Sequence, residues 1–277
     1  MHSIRHLIDI ALQEDIGPGD ITTESLIAPE RSGIGKILAK EPLVIAGLDV
    51  AEQVFERLDP KVAFKSEYRD GDAAGVGAVV AHVEGKLRAL LMGERTALNF
   101  LQRLSGIASH VRSYVNALGH SKVRLVDTRK TTPGWRVLEK YAVRVGGAYN
   151  HRMGLYDGVL IKDNHVAVCG GVKNAIERIR KHATHLLKIE VEVSDLDQLK
   201  EALDAAADVI MLDNMDIHQI REALKLIGGK AAVEVSGGIT QSSLKQLADA
   251  GVDIISVGAL THAARCMDLS MRIEAKE

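Results

Sequence analysis

Positively charged side chains follow several of the predicted β-strands of this chain. Arg129 and Lys130 come shortly after one short apolar run, behind Asp127 and Thr128, and Lys162 follows the next run. His151 and Arg152 lie between these two runs. A single exposed cation is ordinarily a solvated charge. Several cations at neighbouring strand ends repel one another unless an anion offsets them, and the arginine fork matches a carboxylate or a phosphate. The pattern therefore predicts a site for a polyanionic ligand.

Two acidic side chains are predicted at the ends of two further strands. Glu192 lies near the end of "KIEVEV", and Asp213 directly follows "VIML". Acids opposite a cationic cluster suit a ligand with phosphates and ribose hydroxyls, because Mg²⁺ usually binds through one or two carboxylates together with phosphate oxygens. The alternative is that these acids pair with nearby lysines. The spacing of Asp163 and His165 is only a weak metal signal, and we interpret His165 as a structural histidine.

Glycine-containing turns follow the last two predicted strands. "SGG" places Ser236, Gly237 and Gly238 after "AAVEV", and Gly258 follows "DIISV". Glycine lets a ligand approach backbone N–H groups closely, and the loops after the final strands of a β/α barrel often hold a phosphate. Each turn alone is equally explained as a tight connection. Two such turns after consecutive strands favour a phosphate site.

The pleat of the predicted strand "LLKIEVEV" places charged side chains on one face. Side chains alternate between faces along a strand, so Lys188, Glu190 and Glu192 lie together, and Glu234 shares a face with Ser236 on a later strand. The apolar face should meet the outer helices. Lys188, Glu190 and Glu234 are therefore predicted to point inward, where a buried charge must be paired.

Short apolar strands alternate with helices after Gly119, and this alternation predicts parallel strands. An open doubly wound sheet and a β/α barrel both place sites at the carboxyl ends of strands, but only a barrel gathers all of the strand ends around one mouth. Functional side chains at the end of strand after strand favour the barrel. A count of roughly six strands rather than about eight predicts an incomplete one. The predicted strands are "VRLVD", "GVLIK", "LLKIEVEV", "DVIML", "AAVEV" and "DIISV".

The earlier part of the chain mixes helices and strands without regular alternation, which is typical of an α+β domain. Helical spacing of apolar residues is present in "SIRHLIDIALQED" and "AEQVFERL", and a long helix is predicted to start near Lys86. The predicted strands of this part are "GIGKILAKEPLVIAG", "VAFKSEY" and "GAVVAHV".

Composition narrows the class of protein. The chain has 277 residues, of which 46% are hydrophobic and 26% charged, as in a soluble globular protein. A net charge of −2 and 3% aromatic residues leave no basic footprint or stacking surface for nucleic acid. No apolar run approaches the roughly 18 residues of a membrane helix, and acids near the N-terminus argue against a secretory leader. Cys169 and Cys266 cannot form a disulfide framework, which favours the cytoplasm.

Taken together, the motifs of the chain resemble the quinolinate phosphoribosyltransferase family, also called nicotinate-nucleotide pyrophosphorylase (carboxylating). The resemblance spans nearly the whole chain. It implies an N-terminal α/β sandwich domain at residues 1–107, with 264–277 as a candidate to pack back on it, and an open, incomplete β/α barrel at 108–263. The motifs are "GERTALNFLQRLSGIAS", "DTRKTTPG", "NHR", "IKDNH", "EVEV", "MLDN", "VSGGI" and "VGALTH".

The resemblance implies a glycosyltransferase of NAD biosynthesis. Its reaction converts quinolinate and phosphoribosyl pyrophosphate into nicotinate mononucleotide, pyrophosphate and CO₂, with Mg²⁺ as cofactor. Arg95 of "GERTALN" would reach the quinolinate bound by a partner subunit. This position implies a homodimer or higher homo-oligomer with shared active sites.

The resemblance also implies a role for each candidate residue. The implied catalytic residues are Lys130, Lys162, Glu192 and Asp213. Lys130 would face the pyrophosphate. Glu192 and Asp213 would contact ribose hydroxyls and Mg²⁺, and their contact with Mg²⁺ would be largely through substrate and water. The implied quinolinate contacts are Arg95, Arg129, His151, Arg152 and Lys162. The implied contacts of the 5′-phosphate are Ser236, Gly237, Gly238 and Gly258.

Three other functions stay open at this stage. A family member acting on another pyridine carboxylate, such as the monocarboxylate nicotinate, would need fewer cations. The molybdenum-associated paralogues share the fold, but the intact "TRKT", "NHR" and "KDNH" set argues against them. A non-catalytic anion-binding protein would not need both acids and the lysines, and it would release no pyrophosphate.

Overall fold

The computed structural model describes residues 2–276. Its helices are α1 (His2–Ile16), α2 (Ile21–Leu26), α3 (Leu48–Leu58), α4 (Leu87–Leu118), α5 (Arg136–Gly146), α6 (Asp163–Cys169), α7 (Val172–His182), α8 (Leu196–Asp204), α9 (Ile217–Ile227), α10 (Leu244–Ala250) and α11 (Ala259–His262). Its strands are β1 (Ser32–Ala39), β2 (Leu43–Val44), β3 (Ala63–Lys65), β4 (Ala73–Ala74), β5 (Val79–Lys86), β6 (Arg124–Val126), β7 (Val159–Ile161), β8 (Ile189–Val193), β9 (Val209–Asp213), β10 (Ala232–Ser236), β11 (Ile254–Ser256) and β12 (Leu269–Ala275). Within residues 2–276, no helix has both the length and the apolar character that crossing a bilayer requires.

The chain forms two compact units, each built from separate stretches of sequence. The predicted domain boundary between residues 107 and 108 falls inside the continuous helix α4 and stays a prediction. The first unit contains residues 1–112, 132–147 and 260–277, and the second contains residues 113–131 and 148–259.

The first unit is organised around an antiparallel sheet with the strand order β12-β1-β5-β3. The C-terminal strand β12 pairs with β1, so that Leu269 lies opposite Ala39. Apolar side chains of α3 and α4 form much of the buried core, among them Phe55, Phe100 and Leu104. Strands and helices are both present in this unit without regular alternation, as the sequence predicts.

The second unit contains a parallel sheet with the strand order β6-β11-β10-β9-β8-β7. These are the six strands that the apolar runs predict. Helices follow the strands along the chain, which gives the β/α repeat. Strands β6 and β7 lie at opposite ends of the order, so the barrel is open, and the predicted fold class is confirmed.

The inward-facing charges are predicted correctly in two of three cases. Glu190 in β8 and Glu234 in β10 are buried, at 8% and 1% exposure, and both lie beside His151. The prediction for Lys188 is wrong, because this side chain is exposed. Strand β8 begins at Ile189, three residues after the start of the predicted strand "LLKIEVEV", so the pleat that buries Glu190 does not include Lys188.

Candidate active site

A buried carboxylate joins the end of β6 to the "NHR" segment. Asp127 is fully buried and accepts hydrogen bonds from Nδ2 of Asn150 at 2.6 Å and from the backbone N–H of His151 at 2.9 Å. The backbone of Val126 forms a parallel bridge with Tyr149. A charge in this position is stabilised because backbone and amide donors satisfy it. The two cation-bearing segments that the sequence predicts are therefore held together by Asp127.

Arg129 and Arg152 converge at this edge of the sheet. Burial, followed by the nearby charge of Arg129, lowers the pKa of the Arg152 guanidinium. Arg152 also donates from Nη1 to the carbonyl oxygen of Gly158 at 3.1 Å, which holds its side chain in place. Lys130 is exposed beside them, and its backbone N–H donates to Oγ1 of Thr128 at 3.1 Å. The charges of Glu190 and Asp157 oppose this repulsion, and a dianion bound beside the two arginines would oppose it further.

Lys162 and Glu192 form an ion pair between the neighbouring strands β7 and β8. The sequence leaves open whether the acids at the strand ends pair with lysines. Glu192 does pair with a lysine. An anionic ligand that contacts Lys162 would share this lysine with Glu192 or replace that acid.

His165 accepts a hydrogen bond at Nδ1 from the backbone N–H of Lys162 at 2.9 Å and so caps α6. Its interpretation as a structural histidine is confirmed.

The predicted phosphate turn lies beside the second acid. Asp213 and Ser236 are register partners at the ends of β9 and β10. Gly237 and Gly238 follow with φ values of 89° and 60°, in the left-handed region that favours glycine. Gly258 comes after β11, which neighbours β10. The two glycine turns are thus on adjacent strands, and the contacts predicted for them with a phosphate stay a prediction.

His151 meets two carboxylates inside the barrel. Its Nε2 lies 3.2 Å from Oε2 of Glu190 and 3.7 Å from Oε1 of Glu234. The backbone N–H of Arg152 donates to Nδ1 at 2.8 Å, so Nε2 carries the hydrogen that faces the carboxylates. The two acids come from strands on either side of β9, roughly 10 Å apart at the backbone, and their side chains converge across that gap. Binding of quinolinate by His151 stays a prediction.

Glu234 gives this cluster a pH dependence. Burial and the charge of Glu190 raise the pKa of the Glu234 carboxyl to about 8, against the opposing effect of His151. A raised folded-state pKa means that the protonated form is favoured by folding. The contribution of Glu234 to the free energy of unfolding is complete below the ordinary pKa of 4.5 and is lost as the pH rises through about 8.

We expect the difference in melting temperature, wild type minus Glu234→Gln, to decrease as the pH is raised from 5 to 9. The glutamine keeps the shape of the side chain but cannot ionise, so its stability lacks this transition. Thermal unfolding followed by circular dichroism across the pH series measures the difference. Glu222→Gln, at an exposed position on α9, is the matched control. A wild-type curve that runs parallel to that of Glu234→Gln would contradict the raised pKa.

Arg95 belongs to the first unit, whereas every other candidate residue lies in the second. It is on α4, its side chain is 59% exposed, and its guanidinium is 3.9 Å from the carboxylate of Glu94. The sequence places it on a helix rather than at a strand end, and the structure agrees. Its role in the active site of a neighbouring subunit stays a prediction.

Sequence reasoning missed the residues that organise the site from behind. Asp127, Asn150 and Asn214 belong to the motifs "DTRKTTPG", "NHR" and "MLDN", but the motifs alone predict no role for them. The signal for Asp127 was available, since an acid directly after a buried strand and before two cations needs partners if it is not solvated. The contacts of Asn150 and Asn214 depend on loop conformations that spacing does not predict.

A β/α domain with cations, acids and glycine turns at the carboxyl ends of its strands belongs to the class of enzymes that bind anionic, phosphate-bearing substrates there. Two family models match this chain. The model of the quinolinate phosphoribosyl transferase N-terminal domain matches residues 20–105, and that of the C-terminal domain matches residues 107–272. The chain belongs to the quinolinate phosphoribosyltransferase family.

Relatives and solved structures agree with this assignment. A probable nicotinate-nucleotide pyrophosphorylase (carboxylating) of Bacillus subtilis is 45% identical over 98% of this chain and 93% of its own length. A probable enzyme of the same name from Methanocaldococcus jannaschii is 44% identical over 95% and 94%. The crystal structure of NadC from Streptococcus pyogenes is 42% identical, with a TM-score of 0.96 over 100% of this chain and 98% of that one.

Proposed function

We propose that this chain transfers the phosphoribosyl group of phosphoribosyl pyrophosphate to quinolinate, with loss of CO₂, in NAD biosynthesis. The products are nicotinate mononucleotide, pyrophosphate and CO₂. The observation that carries the proposal is the match of this chain to both domains of the family, and the proximity of Arg129 that lowers the pKa of Arg152 supports it. Quinolinate has two adjacent carboxylates on one ring, and a dianion of this shape offsets the repulsion between two arginines.

Positioning and electrostatics supply the catalysis of the first step. The ring nitrogen of quinolinate attacks the anomeric carbon of the ribose, and the bond to pyrophosphate breaks with its electron pair. The ribose carbon gains positive charge in the transition state. Glu192 and Asp213 would orient the ribose hydroxyls and stabilise this charge, while Lys130 would bind the departing pyrophosphate. No covalent bond to the protein is needed.

The second step uses the charge created by the first. The new bond makes the ring a pyridinium, which accepts the electron pair of the C2–carboxylate bond as CO₂ leaves. A proton then replaces CO₂ at C2. Arg129 and Arg152 hold the substrate during both steps, with Lys162 and His151 as the further predicted contacts. The second carboxylate of the ring stays bound and becomes the carboxylate of the product.

Mg²⁺ is the proposed cofactor. Asp213 and Glu192, the latter paired with Lys162, would supply hard oxygen ligands from the ends of neighbouring strands, and one or two protein carboxylates are the usual number when phosphates supply other ligands. The donor set therefore fits an ion that arrives with phosphoribosyl pyrophosphate. When bound, Mg²⁺ would neutralise charge on the pyrophosphate as it leaves.

We propose further that the chain works as a homodimer or higher homo-oligomer in the cytoplasm. The exposed position of Arg95, in a different unit from the other site residues, supports the first part, because a second copy could receive this side chain. Cys169 and Cys266 are both free thiols, which supports a reducing compartment.

We expect the purified chain to release equimolar pyrophosphate, CO₂ and nicotinate mononucleotide from quinolinate and phosphoribosyl pyrophosphate. Coupled detection of pyrophosphate and chromatography of the nucleotide measure the reaction. Nicotinate in place of quinolinate should give at most a small fraction of the rate. It lacks the second of the two carboxylates that Arg129 and Arg152 are proposed to bind. Turnover of nicotinate at the same rate would favour a monocarboxylate enzyme. Absence of turnover with either compound would favour an anion-binding protein.

A further inference from the structure

Asn214 occupies a backbone conformation that few residues adopt. Its φ is 54°, in the left-handed region, and in residues 2–276 only Ala206 shares this property among residues other than glycine. Asparagine tolerates the conformation better than most side chains. The backbone N–H of Asn214 donates to the carbonyl oxygen of Ser236 at 3.0 Å, which continues the pairing of β9 with β10 beyond Asp213.

The side chain of Asn214 turns back onto the preceding acid. Its Nδ2 donates to Oδ2 of Asp213 at 2.8 Å. Neighbouring side chains on a regular strand point to opposite faces, so this contact depends on the left-handed turn at Asn214. The amide thereby restrains the carboxylate of Asp213 in one orientation at the end of β9.

The same side chain lies against the turn that follows β10. A Cβ added to Gly237 would lie 2.2 Å from Oδ1 of Asn214 and 2.9 Å from its backbone nitrogen. Real Cβ atoms do not approach other atoms so closely. Glycine at position 237 is therefore required both by its φ of 89° and by the amide packed on it.

We propose that Asn214 is a positioning residue for the phosphoribosyl donor, acting through Asp213 and Gly237. This inference rests on the proposed function, which gives Asp213 the ribose and Gly237 the 5′-phosphate. One amide contacts both groups, so it sets the position of the carboxylate relative to the phosphate turn. Quinolinate, bound at the edge formed by Arg129 and Arg152, does not depend on it.

The closing experiment compares the affinity of the wild type and variants for each substrate separately. Isothermal titration calorimetry with phosphoribosyl pyrophosphate in Mg²⁺ buffer, and with quinolinate alone, gives two dissociation constants. Asn214→Gly keeps the left-handed backbone and removes the amide. We expect its affinity for phosphoribosyl pyrophosphate to fall about tenfold or more, the effect of one hydrogen bond to a charged group, with the affinity for quinolinate within about twofold of wild type.

Two further variants separate positioning from folding. Asn214→Asp keeps the size of the side chain but sets a second carboxylate against Asp213, so it should weaken donor binding at least as much as Asn214→Gly. Ala206→Gly, at the other left-handed residue, precedes the same strand and is the matched control. It should leave both affinities unchanged.

The outcomes are distinct. A wild type that neither binds phosphoribosyl pyrophosphate nor turns it over with quinolinate overturns the proposed function and this inference with it. A wild type that binds the donor, with Asn214→Gly and Asn214→Asp binding it equally well, overturns the inference alone. Equal weakening of both substrates in either variant also overturns it, because Asn214 would then serve the fold rather than the donor. Selective loss of donor binding in both variants supports it.

Discussion

Replacing Arg152 by alanine should strongly weaken the binding of quinolinate while phosphoribosyl pyrophosphate still binds. Removal of one partner from a desolvated charge pair costs about 2–5 kcal/mol, which corresponds to about 30-fold to 5,000-fold in affinity. We expect KM for quinolinate to rise within this range. The dissociation constant for phosphoribosyl pyrophosphate should change by less than about threefold, since its predicted contacts lie on other strand ends.

The shape of the guanidinium should matter as well as its charge. Arg152→Lys keeps a cation but loses the fork that binds a carboxylate through two hydrogen bonds, so we expect an intermediate defect. Arg221→Ala, at an exposed position on α9, is the control for loss of a surface arginine. Steady-state kinetics with each substrate varied in turn, together with calorimetry of each ligand, separates the two affinities.

Arg152 also donates to the carbonyl oxygen of Gly158, so a local structural effect must be distinguished from a binding effect. A loosened loop would lower the melting temperature of Arg152→Ala and of Arg152→Lys alike. Equal losses of affinity for both substrates in Arg152→Ala, at an unchanged melting temperature, would contradict the assignment of Arg152 to the dicarboxylate.

The parallel sheet is predictable from sequence because its signal is local. Each strand from β6 to β11 is a short segment rich in Val, Ile and Leu with a polar or glycine residue at or shortly after its end, so its position and its carboxyl end are visible without knowledge of the fold. The pairing of β12 with β1 is not visible in this way. Residues opposite each other, such as Leu269 and Ala39, are far apart along the chain, and nothing local to either segment specifies its partner.

The site is predictable to the extent that its residues lie at strand ends. Arg129, Lys162, Glu192 and Asp213 are all of this kind. The contacts behind them are tertiary and were not predictable. Asp127 binds a segment that follows α5, and the carboxylates beside His151 come from two strands that are not adjacent in the sheet. Pairing of Glu192 with Lys162 was one of two open alternatives, and only geometry decided between them.

The boundary of the pleat at Lys188 shows the limit of the periodicity argument. Alternation predicts the face of every residue within a strand, but it does not say where the strand begins. β8 begins at Ile189, so Glu190 obeys the rule and Lys188 does not. A burial prediction near either end of a predicted strand therefore depends on a boundary that the sequence does not fix, and here that boundary moves from Leu186 to Ile189.

Arg95 provides the second large effect, because we expect it to complete the active site of a partner subunit. Arg95→Ala and Lys162→Ala should each reduce turnover about 100-fold or more when prepared alone, since each removes a charge-assisted contact with a quinolinate carboxylate. Co-refolded at equal concentration, the two variants should recover activity. About half of the dimers formed by random pairing contain one chain of each kind.

The recovery follows from where the two lesions fall in a mixed dimer. If Arg95 acts across the interface, the chain with Arg95→Ala supplies an intact Lys162 to its own site and receives Arg95 from its partner, while the other site carries both lesions. One intact site in about half of the dimers predicts about a quarter of wild-type turnover. Distinct affinity tags and tandem purification isolate the mixed dimers for the measurement.

A second mixture tests whether recovery has the proposed cause. Arg129 and Lys162 lie in the same unit, so both belong to the site of their own chain. Each site of a dimer of Arg129→Ala with Lys162→Ala carries one lesion, and this mixture should stay inactive. Recovery in both mixtures would point to a change in assembly rather than a shared site. If tagged mixed dimers of Arg95→Ala and Lys162→Ala are isolated and are as inactive as their parents, Arg95 does not act in the partner's site. Each such dimer would have contained one site with an intact Lys162 and an intact Arg95 from the partner, and that site would have been inactive.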